Sequence, residues 1–157
     1  MNATGTASPV GLQSPNGDGA GAAFRRRLVL SIPSKLQYLS WARRATEAST
    51  RSFELSPTKQ LDVTLVASEL VTNAIEHGAG GRVHLEIRSD AESVEVTASN
   101  VIGDRLPGPP ENWSLPEPTA RSGRGLAIVR RLCDSVDVRE ADDRLVISCQ
   151  LSVLGDP

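Results

Sequence analysis

The sequence is poor in aromatic side chains. Two Trp, one Tyr and two Phe make up 3% of its 157 residues. Stacking platforms for single-stranded nucleic acid need a series of aromatic faces, so that class is excluded. The core must be aliphatic, drawn from a hydrophobic content of 39%. Lysine is almost missing, with Lys35 and Lys59 standing among arginines, and the net charge of −2 gives no excess of positive charge for a polyanion. The run Arg25-Arg26-Arg27 is too short to change that and reads as a solvated strand edge. Direct nucleic-acid binding is therefore not expected. Cys133 and Cys149 are far apart and lack CxxC spacing, which excludes a zinc ribbon and a disulfide framework and leaves two buried free thiols. No apolar run approaches the ~20 residues that span a bilayer. The N-terminal stretch has neither an early cation nor an apolar core of the secretory type. A cytoplasmic protein with no membrane contact is expected.

Glycine and proline are present but concentrated. Residues 1–24 are mostly Gly, Ala, Ser, Thr, Pro and Asn and bury almost nothing, so a disordered tail is expected there and one folded domain over 25–153. Residues 101–122 hold five prolines and no hydrophobic period. So long a stretch without periodicity reads as a functional, mobile loop.

Between these stretches the patterns are regular. Residues 28–32 are a short apolar strand. Ser34 is placed to cap a helix running to about residue 50, with Leu36, Leu39, Ala42 and Ala45 on its apolar side. Ser56-Pro57 opens a second helix that ends at Gly78. Residues 82–89 and 93–100 alternate with period two and are joined by Asp90-Ala91-Glu92. Gly125 to Cys133 is a third helix, and 135–139 and 144–151 are two further strands meeting near Asp142-Asp143. The order β-α-α-β-β-loop-α-β-β predicts an α+β, two-layer fold: a mixed, mostly antiparallel sheet with helices on one face.

Two constellations carry chemistry. In the second helix Glu69, Asn73 and His77 recur every four residues. Each such step turns a helix only about 40° past a full turn, so the three line one ridge. Val63, Ala67, Leu70, Val71 and Ala74 fall opposite and should face the sheet. A solvated helix face is the bland reading, but mid-helix Asn is a weak helix former and points to a local role. A carboxamide oxygen one turn from a carboxylate suits Mg²⁺, which prefers oxygen ligands, and a carboxylate can orient or deprotonate a hydroxyl. The second constellation is Arg121-Ser122-Gly123-Arg124-Gly125-Leu126 at the start of the third helix. Its glycines allow close backbone approach, and a helix N-terminus favours phosphate. No GxxxxGK[ST] or GxGxxG is present.

ASELVTNAIEHG at 67–78 resembles the N box of the GHKL, or histidine-kinase-like, ATPases, and GRGLAIV at 123–129 resembles their last glycine box. The likeness extends over about residues 28–152 and implies the Bergerat-type ATP-binding fold, with ATP and Mg²⁺ bound. It implies that Asn73 ligates Mg²⁺, that Glu69 is the base, and that residues 101–122 are the ATP lid. Nucleotide contacts would come from Asn73, His77, Asn100, Gly103, Ser122, Gly123, Arg124, Gly125 and Leu126. The family's first glycine box opens with an Asp that reads adenine; here Asn100 stands there, keeping an acceptor oxygen, and of the glycine pattern Gly103 remains. By its length and its strand-helix lead-in the sequence looks like the anti-sigma factor serine/threonine kinases, in which Arg121 would reach the γ-phosphate. That implies a sigma factor and a STAS-type anti-anti-sigma protein as partners, and allows a homodimer. The alternative is a non-catalytic nucleotide-binding module that sequesters such a partner.

Overall fold

The computed structural model describes residues 25–114 and 123–153. Five strands pair in the order β1-β2-β3-β5-β4: β1 Arg26–Pro33, β2 Arg82–Ser89, β3 Ser93–Val101, β4 Ser135–Ala141 and β5 Arg144–Ser152. Among the described residues all four pairings are antiparallel, so no parallel pair mixes into the sheet there. Three helices join it: α1 Leu39–Thr50, α2 Pro57–His77 and α3 Gly125–Leu132.

Register explains why one face is buried. Leu30 pairs with Leu85, Leu85 with Ala98, and Ala98 with Ile147, which pairs in turn with Val138. The next row runs Leu28, Ile87, Val96, Cys149, Val136. With period two, every strand sends these side chains to the same side, where the helices lie. The other side carries Arg27, Glu86, Glu95 and Gln150 and faces solvent. There Glu86 accepts from the Nε atoms of Arg27 and Arg88, 2.5 and 2.6 Å away. Burial alone would raise its pKa, but these two arginines outweigh that and hold it below the ordinary glutamate value.

Helix α2 lies over β2 and β3, with α1 packed on one flank and α3 on the other. The sheet-facing set expected from its period is buried: Val63, Ala67, Leu70, Val71 and Ala74 are all 2% exposed or less. Ser56 caps the helix, its hydroxyl accepting from the Lys59 N–H at 3.1 Å with Pro57 at the first position. Ser34 does not cap α1. A 3-10 turn, Leu36–Tyr38, intervenes, and the Ser34 hydroxyl is buried without a partner. Extended backbone at Lys35 separates Ser34 from that turn, so its side chain cannot reach a first-turn amide. In α1 the core-facing Thr46 hydroxyl donates to Ala42 O at 3.0 Å, which satisfies it inside the helix and makes a buried Thr tolerable.

The β2–β3 turn forms as expected: Asp90 Oδ1 accepts from the backbone N–H of Glu92 at 2.8 Å and of Ser93 at 2.7 Å. The loop after β3 is more ordered over 101–114 than its composition suggests. It contains a 3-10 turn, Pro110–Asn112, and Trp113 is 9% exposed, with its indole N–H donating to Pro107 O at 3.0 Å. The second half of the expected lid, 115–122, and the expected tail, 1–24, lie outside the described residues.

Candidate nucleotide site

A cavity of about 150 Å³ opens where the C-terminal half of α2, the end of β3, the following loop and the start of α3 converge. Asn73, His77, Asn100, Gly103 and Leu126, all singled out in the sequence, line it. Arg105, Leu106, Pro107 and Leu145 complete the wall and were not expected. Leu145 had a readable origin: it opens the last strand, and it pairs with Asn100 across β3 and β5. The loop residues carried no such signal, because nothing in an aperiodic stretch says which side chain turns inward. A whole small-molecule site occupies roughly 300–1,000 Å³, so this cavity takes one part of a nucleotide and not all of it.

Each wall residue is placed by a local cause. Asn73 and His77 follow Glu69 at four-residue steps on α2 and leave the helix on its polar side. Among the described residues no protein group bonds the Asn73 carboxamide, so it is available to the cavity. Asn100 is on the apolar face of β3 and only 5% exposed. Gly103 passes the end of α2 so closely that a Cβ there would overlap the His77 carbonyl oxygen.

The same closeness occurs at the other end of the cleft. A Cβ on Gly125 would overlap the Glu69 carboxylate, so the acid of α2 rests against the first residue of α3. Among the described residues no side chain caps α3, and its first turn has no acidic residue. Gly123 precedes it with φ +87°, and both Gly123 and Arg124 are exposed. Burial first, and then the negative charge of Glu76, raise the Glu69 pKa above the ordinary glutamate value. Thus the acid-amide ridge and the glycine turn meet, with Glu69 at the turn, beside the cavity, and Asn73 and His77 lining it. Arg121 and Ser122 lie outside the described residues.

A model of the histidine kinase-like ATPase domain matches residues 32–150, most of the chain. The chain belongs to that family. Among solved structures, the RsbU and RsbW domains of a Mycobacterium tuberculosis protein share the fold with a TM-score of 0.56 at 14% identity. That match covers 80% of this chain and 32% of the other, so this histidine kinase-like ATPase domain spans about a third of the length of its structural neighbour. A comparison with curated proteins gave no match. No helix among the described residues is long and apolar enough to cross a membrane. Nor do the described residues hold a group of three or more His, Cys, Asp or Glu that could cage a metal ion. Both buried cysteines are free thiols.

Proposed function

We propose that this domain binds ATP with Mg²⁺ and transfers the γ-phosphoryl group to a Ser or Thr hydroxyl of an anti-anti-sigma protein, while also sequestering a sigma factor. The observation that carries the reading is the meeting of Glu69 with Gly125 beside a cavity lined by Asn73 and Asn100. The likeness of the two boxes to those of anti-sigma factor kinases supports it. So does the fold shared with an RsbW-containing structure.

In this reading the base occupies the Asn100 end of the cavity and the phosphates lie toward Gly123 and Gly125. The first turn of α3 offers backbone N–H groups and the positive end of the helix dipole to them. Arg121 and Arg124 add positive charge, and residues 101–122 close over the nucleotide as its lid. Glu69, beside the α3 turn, receives the proton of the attacking hydroxyl. Its raised pKa makes it a better proton acceptor than an ordinary glutamate once ionised. The donor set fits magnesium: Mg²⁺ uses few protein ligands besides phosphate oxygens and water, and Asn73 offers an unengaged carboxamide oxygen. When bound, the ion would neutralise phosphate charge, and positioning by the cleft would supply the rest.

The test is transfer of labelled phosphate from ATP to a candidate acceptor protein. Label should appear on the acceptor with the wild type and fall by at least ~100-fold with Glu69→Gln, the scale of a lost general base. Nucleotide binding with no transfer to any cognate acceptor would leave the sequestering module as the function. Asn73→Ala should abolish the magnesium dependence of ATP binding; unchanged dependence would remove Asn73 from the metal site.

A further inference from the structure

Helix α2 carries two large apolar side chains on its wet side. Leu61 is 71% exposed and Leu65 is 40% exposed. An amphipathic helix packed on a sheet places polar residues there, and neither leucine belongs to the core or to the side chains packed against it. A single exposed leucine is ordinary, but two at successive turns beside a site call for a reason on the ligand side. Counted in steps of four, Leu61 and Leu65 come directly before Glu69, Asn73 and His77, so they extend the same ridge. Each step rises ~6 Å, which puts Leu65 about 6 Å and Leu61 about 12 Å from Glu69 along the axis. The cavity lies on the other side of Glu69, where Asn73 and His77 line it. Glu69 thus stands between a polar half of the ridge that faces the cavity and an apolar half that faces solvent.

We propose that Leu61 and Leu65 form the docking strip for the acceptor protein and select apolar side chains beside the hydroxyl that is phosphorylated. The inference rests on the transfer reading above and deepens it. In that reaction the hydroxyl oxygen bonds to the γ-phosphorus, the bond from that phosphorus to the bridging oxygen breaks, the hydroxyl proton goes to Glu69, and ADP leaves. The attacking and leaving oxygens lie roughly in line. With the nucleotide in the cavity, the leaving group is on the Asn73 side of Glu69, so the hydroxyl arrives from the Leu65 side. The flank of the acceptor then passes over Leu65 and Leu61. The side chains that meet them stand about 6 and 12 Å from the hydroxyl, close to the spacing of alternate residues in an extended segment. An acceptor with apolar side chains two and four residues from its hydroxyl therefore fits the strip, whereas charged ones there would be desolvated against leucine without a partner. A second copy of this chain is a poorer occupant. Two leucines cover far less than the roughly 1,200–2,000 Å² that a stable complex buries, but a substrate that must leave after transfer needs only a short-lived contact.

The experiment compares the full-length wild type with Leu65→Gln, Leu61→Gln and the double variant, using the acceptor protein that the wild type labels. Glutamine keeps the helix preference of leucine, so an exposed site tolerates it. Transfer rates are measured against acceptor concentration at saturating ATP and Mg²⁺, ATP affinity by calorimetry, stability by melting and size by sedimentation. The double variant should raise the KM for the acceptor at least ~10-fold, with the single variants between it and the wild type. Its kcat and ATP affinity should stay within about twofold, the pattern of lost uniform binding. Its melting temperature should stay within ~2 °C, as for a surface change. Val29→Thr, which alters an apolar residue 48% exposed on the open face of the sheet, should leave KM unchanged. An unchanged KM in the double variant overturns the proposal, as does the same rise with Val29→Thr. A fall in kcat, ATP affinity or melting temperature in place of the KM effect overturns it too, by assigning the leucines to the nucleotide site or the fold. A wild-type dimer that the double variant loses would give the strip to a second copy. A wild type that labels no cognate acceptor fails at an earlier point: it removes the transfer reading, and the acceptor as occupant goes with it.

Discussion

The two sides of α2 answer to different constraints. Toward the sheet, Val63, Ala67, Leu70, Val71 and Ala74 fill a close-packed interior, where any change of volume is felt. Along the ridge, Glu69, Asn73 and His77 include a half-buried acid resting on a glycine and an amide with no protein partner among the described residues. The first set holds the helix in place. The second set gains little from being there, and a group that contributes little to stability yet stands in a cavity points to a ligand. One helix thus keeps its packing and its chemistry on separate sides.

That separation can be broken at several points. Leu70→Ala removes a side chain 1% exposed from beneath the helix. It should lower unfolding free energy by about 2–5 kcal/mol in denaturant titrations, and affect nucleotide only through the loss of fold. Gly125→Ala forces a methyl group onto the Glu69 carboxylate where the two sides of the cleft touch. Because that carboxylate is the free end of a flexible side chain and can swing away, stability should change by less than about 1 kcal/mol, while nucleotide binding weakens. Unchanged nucleotide binding would show that the contact only packs. Glu69→Gln should change how stability depends on pH. Because the folded-state pKa of Glu69 is raised, its contribution is fully present below the ordinary glutamate value and is lost as pH rises through the higher folded value. Melting curves of the nucleotide-free wild type should therefore decline across that window, and those of Glu69→Gln should be flatter. Arg43→Ala, which removes an exposed i,i+4 pair with Glu47 on α1, should change stability by about 0.3–0.5 kcal/mol or less.

Most of the fold could be read from periodicity because one sheet face and one helix face are buried throughout. Val83, Leu85 and Ile87 alternate because β2 has a wet side and a dry side, and the predicted bounds 82–89 match the strand. Ser56-Pro57 marked its helix start because its cap acts within four residues. Ser34 misled for the complementary reason: a cap works only if the next residues enter a helix, and here the backbone extends at Lys35. The cavity was legible where its residues belong to regular elements, as with Asn73, Asn100 and Leu126. It was not legible at Arg105, Leu106 and Pro107, whose inward position is set by how a loop folds back on itself. Nor does sequence show that the Asn100 amide is held by its neighbour's carbonyl, which depends on the room left by Gly78.

The chain has two indoles, in contrasting surroundings. Trp41 is 40% exposed on α1, whereas Trp113 is packed under the loop that walls the cavity, its ring nitrogen tied to Pro107 and Gly108. Replacing Trp41 with Phe would leave Trp113 as the single tryptophan, whose emission colour and quenching report the surroundings of that loop. The protein thus carries a built-in optical reporter beside the cleft wall, readable with no attached dye.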